Sequence, residues 1–294
     1  MLFKTKITIC SLVIIVLAAV IFFTFSGHAL KKAAKLGNST DKPAKVNTSE
    51  PKVVRNDNSK DISSAKANEA KADVQAMALS SDLNNYVLKV IPSYEGGKYP
   101  YLLNTDYDHY NGVTQNIIYK GSIMAKADPD GSRSSHCVGL TYEVFFKAMQ
   151  ERNKEAGIST DNFNNMTINN MKDFMLTWYN AEGTPKSDGD QLAGAIVKYG
   201  LGTQIKRLED AKAGDFIDFS RTMSGHSAVF INWVRDDKGN IVGFKYWSTQ
   251  ESTNGIAYKV EYFSDNTESA FKGTVNRNEL FIGRIGPISN YKSF

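Results

Sequence analysis

The feature that most constrains the fold is a single change of hydrophobic period near residue 200. Before it, apolar residues recur at helical spacing. Ala76 to Val90 carries Met77, Leu79, Leu83, Tyr86, Val87 and Val90 on one broad face. Cys137 to Gln150 carries Leu140, Val144, Phe145, Ala148 and Met149 on one stripe, with Glu143 and Lys147 at i,i+4 spacing. Ser134 or Ser135 is placed to cap its start. Two more helices are expected, Thr167 to Tyr179 and Ser187 to Tyr199, the second stopped by Gly200. After that the period becomes 2. Strands are expected at Phe216 to Phe219, Ser227 to Val234, Ile241 to Gln250, Tyr258 to Phe263 and Glu279 to Ile285, with a turn at Asp236-Asp237-Lys238-Gly239-Asn240. Helices followed by an antiparallel sheet make an α+β domain.

This domain is expected over 76–294. Ahead of it the chain divides into three. Residues 1–6 form a short tail. Residues 7–25 run from Ile7 to Phe25 without a charge, long enough for a transmembrane helix. A signal peptide cut after Gly27-His28-Ala29 would instead release the chain. Residues 26–75 are rich in Asn, Ser, Lys, Asp, Ala and Pro, and read as a disordered polar linker. The expected location is therefore the cell envelope, with the C-terminal domain extracytoplasmic and the membrane as a partner through the N-terminal helix, or secretion if the segment is cut. Between 92 and 135 the sequence is loop-rich and aromatic, with a turn at Asp128-Pro129-Asp130-Gly131.

The net charge of +4 hides an uneven distribution. Residues 1–75 hold 12 Lys and Arg against 6 Asp and Glu, leaving 23 against 25 for the remainder. A folded domain that close to neutral argues against a nucleic-acid binder. No metal site and no cofactor are expected.

Of the two cysteines, Cys10 lies in the apolar segment, so Cys137 is left as an odd thiol at the start of the clearest helix. A helix N-terminus favours the thiolate, and a neighbouring imidazole can take the proton. The Ser-rich approach Gly131-Ser132-Arg133-Ser134-Ser135-His136 argues for partial exposure. His226, opening a strand after Ser224-Gly225, is the expected base. His136 is set aside because adjacent residues of a helix point about 100° apart. A hairpin turning at 237–238 sets His226 opposite residue 249 or 250, which makes Gln250 the expected orienter of the imidazole, with Ser248 and Tyr246 as alternatives on the same strand face.

At Cys137-Val138-Gly139-Leu140, Ala213-Gly214-Asp215-Phe216, His226-Ser227-Ala228-Val229 and the strand ending at Gln250, the chain resembles the NlpC-type papain-like cysteine peptidases. The CHAP-type amidases share this order. His136 and Val138 stand where that family usually has Asp and Ser. The resemblance implies a papain-like domain that cleaves amide bonds of peptidoglycan peptides by a Cys137, His226, Gln250 triad, without a cofactor. It also carries Tyr94, near Gly96-Gly97, into an oxyanion-binding role. Two other classes remain open on the same residues: a membrane-tethered binding or scaffold domain, and an acyltransferase using the same thioester.

Overall fold

The computed structural model describes residues 58–181 and 191–294, which belong to a compact unit running to Phe294. Side chains are described from residue 67 onward. Among the described residues no helix is long and apolar enough to cross a membrane, and the candidate span 7–25 lies outside them.

The expected helix at 76–90 is two helices. Helix α1 spans Asn58–Ser80 and α2 spans Asn84–Val90, continued by a 3-10 turn over Ile91–Tyr94. Helix α1 thus reaches back into the stretch read as a linker. Its residues are good helix formers with little apolar surface, so a search for apolar periodicity passes over it. A short hairpin, β1 (Ile117–Tyr119) and β2 (Ser122–Ala125), interrupts the loop region. The turn at Asp128 forms, closed by Gly131 N–H donating to Asp128 O at 3.2 Å, with Gly131 at φ +77°.

Helix α3 spans Cys137–Glu155, and its expected stripe is fully buried. The cap is His136 in extended backbone, φ −118° and ψ 151°, instead of Ser134 or Ser135, and no side chain caps the helix. Glu143 is buried outright. It accepts from Lys147 Nζ at 2.7 Å, Tyr94 Oη, and both Thr114 N–H and Thr114 Oγ1. The i,i+4 pair is therefore a fixed internal tie, more than a surface contact. Helix α4 (Ile168–Trp178) is capped by Thr167, whose Oγ1 accepts from Asn170 N–H at 3.1 Å. Helix α5 spans Gln191–Lys198, and Gly200 at φ +64° ends it.

Six strands form one antiparallel sheet in the order β3-β8-β4-β5-β6-β7. They are β3 (Gly202–Ile205), β4 (Phe216–Arg221), β5 (Gly225–Arg235), β6 (Ile241–Gln250), β7 (Gly255–Tyr262) and β8 (Val275–Ile285). Alternation gives each strand two faces, and in the central strands both carry buried residues. One face, with Phe216, Val229 and Trp247, meets Leu140, Val144 and Phe145 of α3 and Phe174 and Trp178 of α4. The other, with Ile217, Phe219, Ala228, Phe230, Phe244 and Ile282, packs with Phe263 and Val275. An isolated bridge between Phe263 and Val275 ties the exit of β7 to β8, so the sheet curls over this second core. The α+β arrangement of helices on an antiparallel sheet is thereby established.

Candidate active site

The approach to α3 is pinned on both sides. Ser135 N–H donates to Pro100 O at 2.9 Å, and Leu102 N–H donates to Ser135 O at 3.1 Å. His136 N–H donates to Gly112 O at 3.0 Å, and the first helical bond runs from Leu140 N–H to His136 O. Gly112 lies so close that a Cβ there would stand 2.8 Å from His136 Cβ. Gly139 is tighter still, since a Cβ would meet Gly112 O at 2.3 Å. The backbone loop at 111–112 therefore sits directly on the first turn of α3, which fixes where the helix begins and where Cys137 points.

Cys137 is the first residue of α3 and is 7% exposed. It lines a cleft of about 560 Å³ together with His136, Asp218, His226, Asn180 and Glu279. A larger crevice of about 750 Å³ runs along Ser80 to Asp82, Gly200 to Thr203 and Arg284, and carries neither cysteine nor histidine. The thiol and two of the histidines lie together in the first cleft.

The imidazole within hydrogen-bond distance of the thiol is that of His136, with Nδ1 3.9 Å from Cys137 Sγ. The objection that helix neighbours diverge does not apply, because the backbone of His136 is extended and only Cys137 is helical. His226, the expected base, forms no hydrogen bond to the thiol. Its pairing with Phe219 sets its ring on the second face of the sheet, 5.4 Å from the Phe219 ring and 5.5 Å from the Tyr246 ring. Its Nε2 is buried with no hydrogen-bond partner.

Gln250 is the last residue of β6. The β5–β6 pairing ends at Val229 with Trp247, so His226 and Gln250 lie just beyond it, paired instead with Phe219 and Gly255. The Gln250 amide is held by other groups. Oε1 accepts from Tyr246 Oη at 2.9 Å and Arg221 at 3.1 Å, while Nε2 donates to Ser252 Oγ at 2.8 Å. Arg221 also forks onto Glu261, which takes the Tyr246 hydroxyl at 2.8 Å. Burial would raise the Glu261 carboxyl, but the bonds from Arg221 and Tyr246 hold it below the usual range. Neither Arg221 nor Glu261 was expected from the sequence. Both lie near the strand end that carries His226 and Gln250, and only the pairing of β4, β5, β6 and β7 shows it.

Two expected residues lie elsewhere. Tyr94 does not line the cleft. Its hydroxyl donates to Glu143 at 2.9 Å and accepts from Lys147 at 3.0 Å, and its ring packs on Tyr99 and Trp247. Ser248 Oγ donates to Ser227 O at 2.7 Å, joining β6 to β5.

Burial favours the neutral forms of the thiol and both imidazoles. Burial pushes the Cys137 thiol up to about 11, against the lowering effect of the Ser227 and Val138 backbone N–H groups. Burial also lowers His136 to about 4 and, helped by Arg221, holds His226 well below the usual histidine range. The helix N-terminus alone therefore leaves the thiol protonated, so any nucleophilic role for the sulfur would require a neighbouring base to take its proton. Comparison with protein-family models, curated proteins and solved structures finds no match.

Proposed function

We propose that this protein is a thiol hydrolase that cleaves amide bonds, with Cys137 as nucleophile, His226 as general base and Gln250 as the residue that orients it. The observation carrying this reading is one cleft lined by both a helix-first cysteine and a histidine at the second position of β5, after Gly225. The Cys137 N–H, at the start of α3, supplies a donor for the oxyanion, a contribution of about 3–4 kcal/mol in acyl-transfer enzymes. An imidazole receives the thiol proton and returns it to the leaving amine. Water then resolves the thioester. By the resemblance of the Cys137, Gly214-Asp215 and His226 segments to NlpC-type peptidases, the substrate is a peptide of peptidoglycan in the cell envelope, reached from a membrane anchor at 7–25.

A second reading, a binding domain on the same fold, is favoured by one observation. The thiol is held near 11 and forms no hydrogen bond with His226. Digestion of purified cell-wall peptidoglycan by the full chain separates the two. Release of new amino groups that is abolished in Cys137→Ala, with the circular dichroism spectrum unchanged, supports the hydrolase. Equal release by wild type and Cys137→Ala would sink it. Mass spectrometry of products formed with added glycine amide distinguishes hydrolysis from acyl transfer.

A further inference from the structure

Two imidazoles border the thiol, and the reading above uses only one. We infer that His136 is also a catalytic residue, its Nδ1 taking the Cys137 proton during attack and leaving His226 to activate the water that resolves the thioester. This rests on the hydrolase reading and assigns its two proton transfers to different side chains.

The geometry that carries it is local. Nδ1 of His136 is 3.9 Å from Sγ, within reach of an S–H donor, whereas no hydrogen bond joins His226 to the thiol. The position of His136 is built. Its backbone is anchored to Gly112, its Cβ leaves room only for hydrogen at Gly112, and its ring lies 5.7 Å from the Tyr101 ring. Tyr101 in turn bridges to Ser135, so the histidine is held between two backbone contacts and an aromatic wall. A general base needs this kind of preset position more than it needs a high basicity.

The steps balance. As the Cys137 sulfur bonds to the amide carbonyl carbon, its proton moves to His136 Nδ1. As the C–N bond breaks, that proton passes to the departing amine and His136 is neutral again. Water then attacks the thioester and gives one proton to His226. The sulfur leaves and takes its proton back through His136 Nδ1, which solvent resupplies, while His226 returns the proton from water to solvent. The thiol is restored, and no outside oxidant or reductant is required.

The groups facing His136 from the surrounding elements are Cys137 of α3, Tyr101 of the preceding loop and His226 of β5. Asp218 and Arg221 of β4 and Glu251 after β6 act on the thiol, on Tyr101 or on His226. A pH series therefore has to be compared between variants and not read from wild type alone.

The test uses the full chain and its His136→Gln, His136→Asn and His226→Gln variants, each checked for an unchanged melting transition. Iodoacetamide alkylation of Cys137 is followed by mass spectrometry from pH 5 to 10, and p-nitrophenyl acetate then serves as acyl donor. The expected result is a roughly tenfold or greater loss of alkylation rate at pH 7 in both His136 variants, with a change of about twofold or less in His226→Gln, a tenfold loss being about 1.4 kcal/mol of activation. Acetyl-Cys137 should accumulate in His226→Gln and fail to form in the His136 variants. Slowing by His226→Gln alone overturns the inference and leaves the hydrolase reading standing. Slow alkylation without acyl-enzyme in every form, wild type included, overturns both.

Discussion

The imidazoles of His136 and His226 are kept neutral by burial, and this has a consequence for stability in acid. An ordinary histidine titrates near 6.5, and His136 is lowered to about 4. As pH falls below 6.5 the unfolded chain gains a proton before the folded chain does. The stability present above about 6.5 is therefore lost progressively down to about 4, and His226 extends the loss further because its pKa lies lower still. The expected outcome is a urea midpoint that falls between pH 7 and 4.5, and falls less steeply in His226→Phe, which keeps the ring contacts with Phe219 and Tyr246. An equal slope in the two proteins would show that His226 is not buried as a neutral ring. How far this site was legible in the sequence follows from the same residues. Cys137 at a helix start, His226 near a strand start and Gln250 at a strand end can all be counted out from turns and periods. The proximity of His136 cannot, because it depends on the cap residue taking extended backbone. Nor can the hold of Arg221 and Tyr246 on Gln250, which needs three strands paired at once.

At the scale of elements, the start of α3 is the most tightly specified piece of the fold. Gly139→Ala drives a methyl against the Gly112 carbonyl, a backbone atom with little room to yield. A destabilisation of about 3 kcal/mol is expected, measured by chemical denaturation. Thr167→Ala removes the side-chain cap of α4 and should cost about 1 kcal/mol, with the cleft chemistry unchanged. Elements with strong apolar periods were the readable ones, and α4 was expected within a residue of its observed ends. Strand β3, only Gly202–Ile205, is too short for alternation to register, and its place beside β8 is a tertiary decision. Helix α1 was missed for the opposite reason, since it follows helix propensity without an apolar stripe.

At the scale of the described unit, two cores share one sheet. Phe145 belongs to the core between helices and sheet, and Phe244 to the one inside the curl. Because the same strands carry both, the unit should unfold in one cooperative step. Phe145→Ala and Phe244→Ala are each expected to lower a single transition by about 3–5 kcal/mol, followed by calorimetry. Two separated transitions in either variant would mean that the cores are independent. The α+β class was legible from the change of period alone. The curl of the sheet was not, because it follows from the contact of Phe263 with Val275 across segments that the sequence pattern leaves unrelated.

The loop seated on the first turn of α3 also bears on descent. Loss of the Cys137 thiol removes one sulfur from a cleft wall, whereas loss of Gly112 or Gly139 forces the backbone apart. In a lineage that abandoned catalysis, the cysteine would be free to drift while the two glycines stayed under selection for folding. On the proposed hydrolase reading, the glycine two places after the cysteine would therefore outlast the cysteine itself in such a lineage.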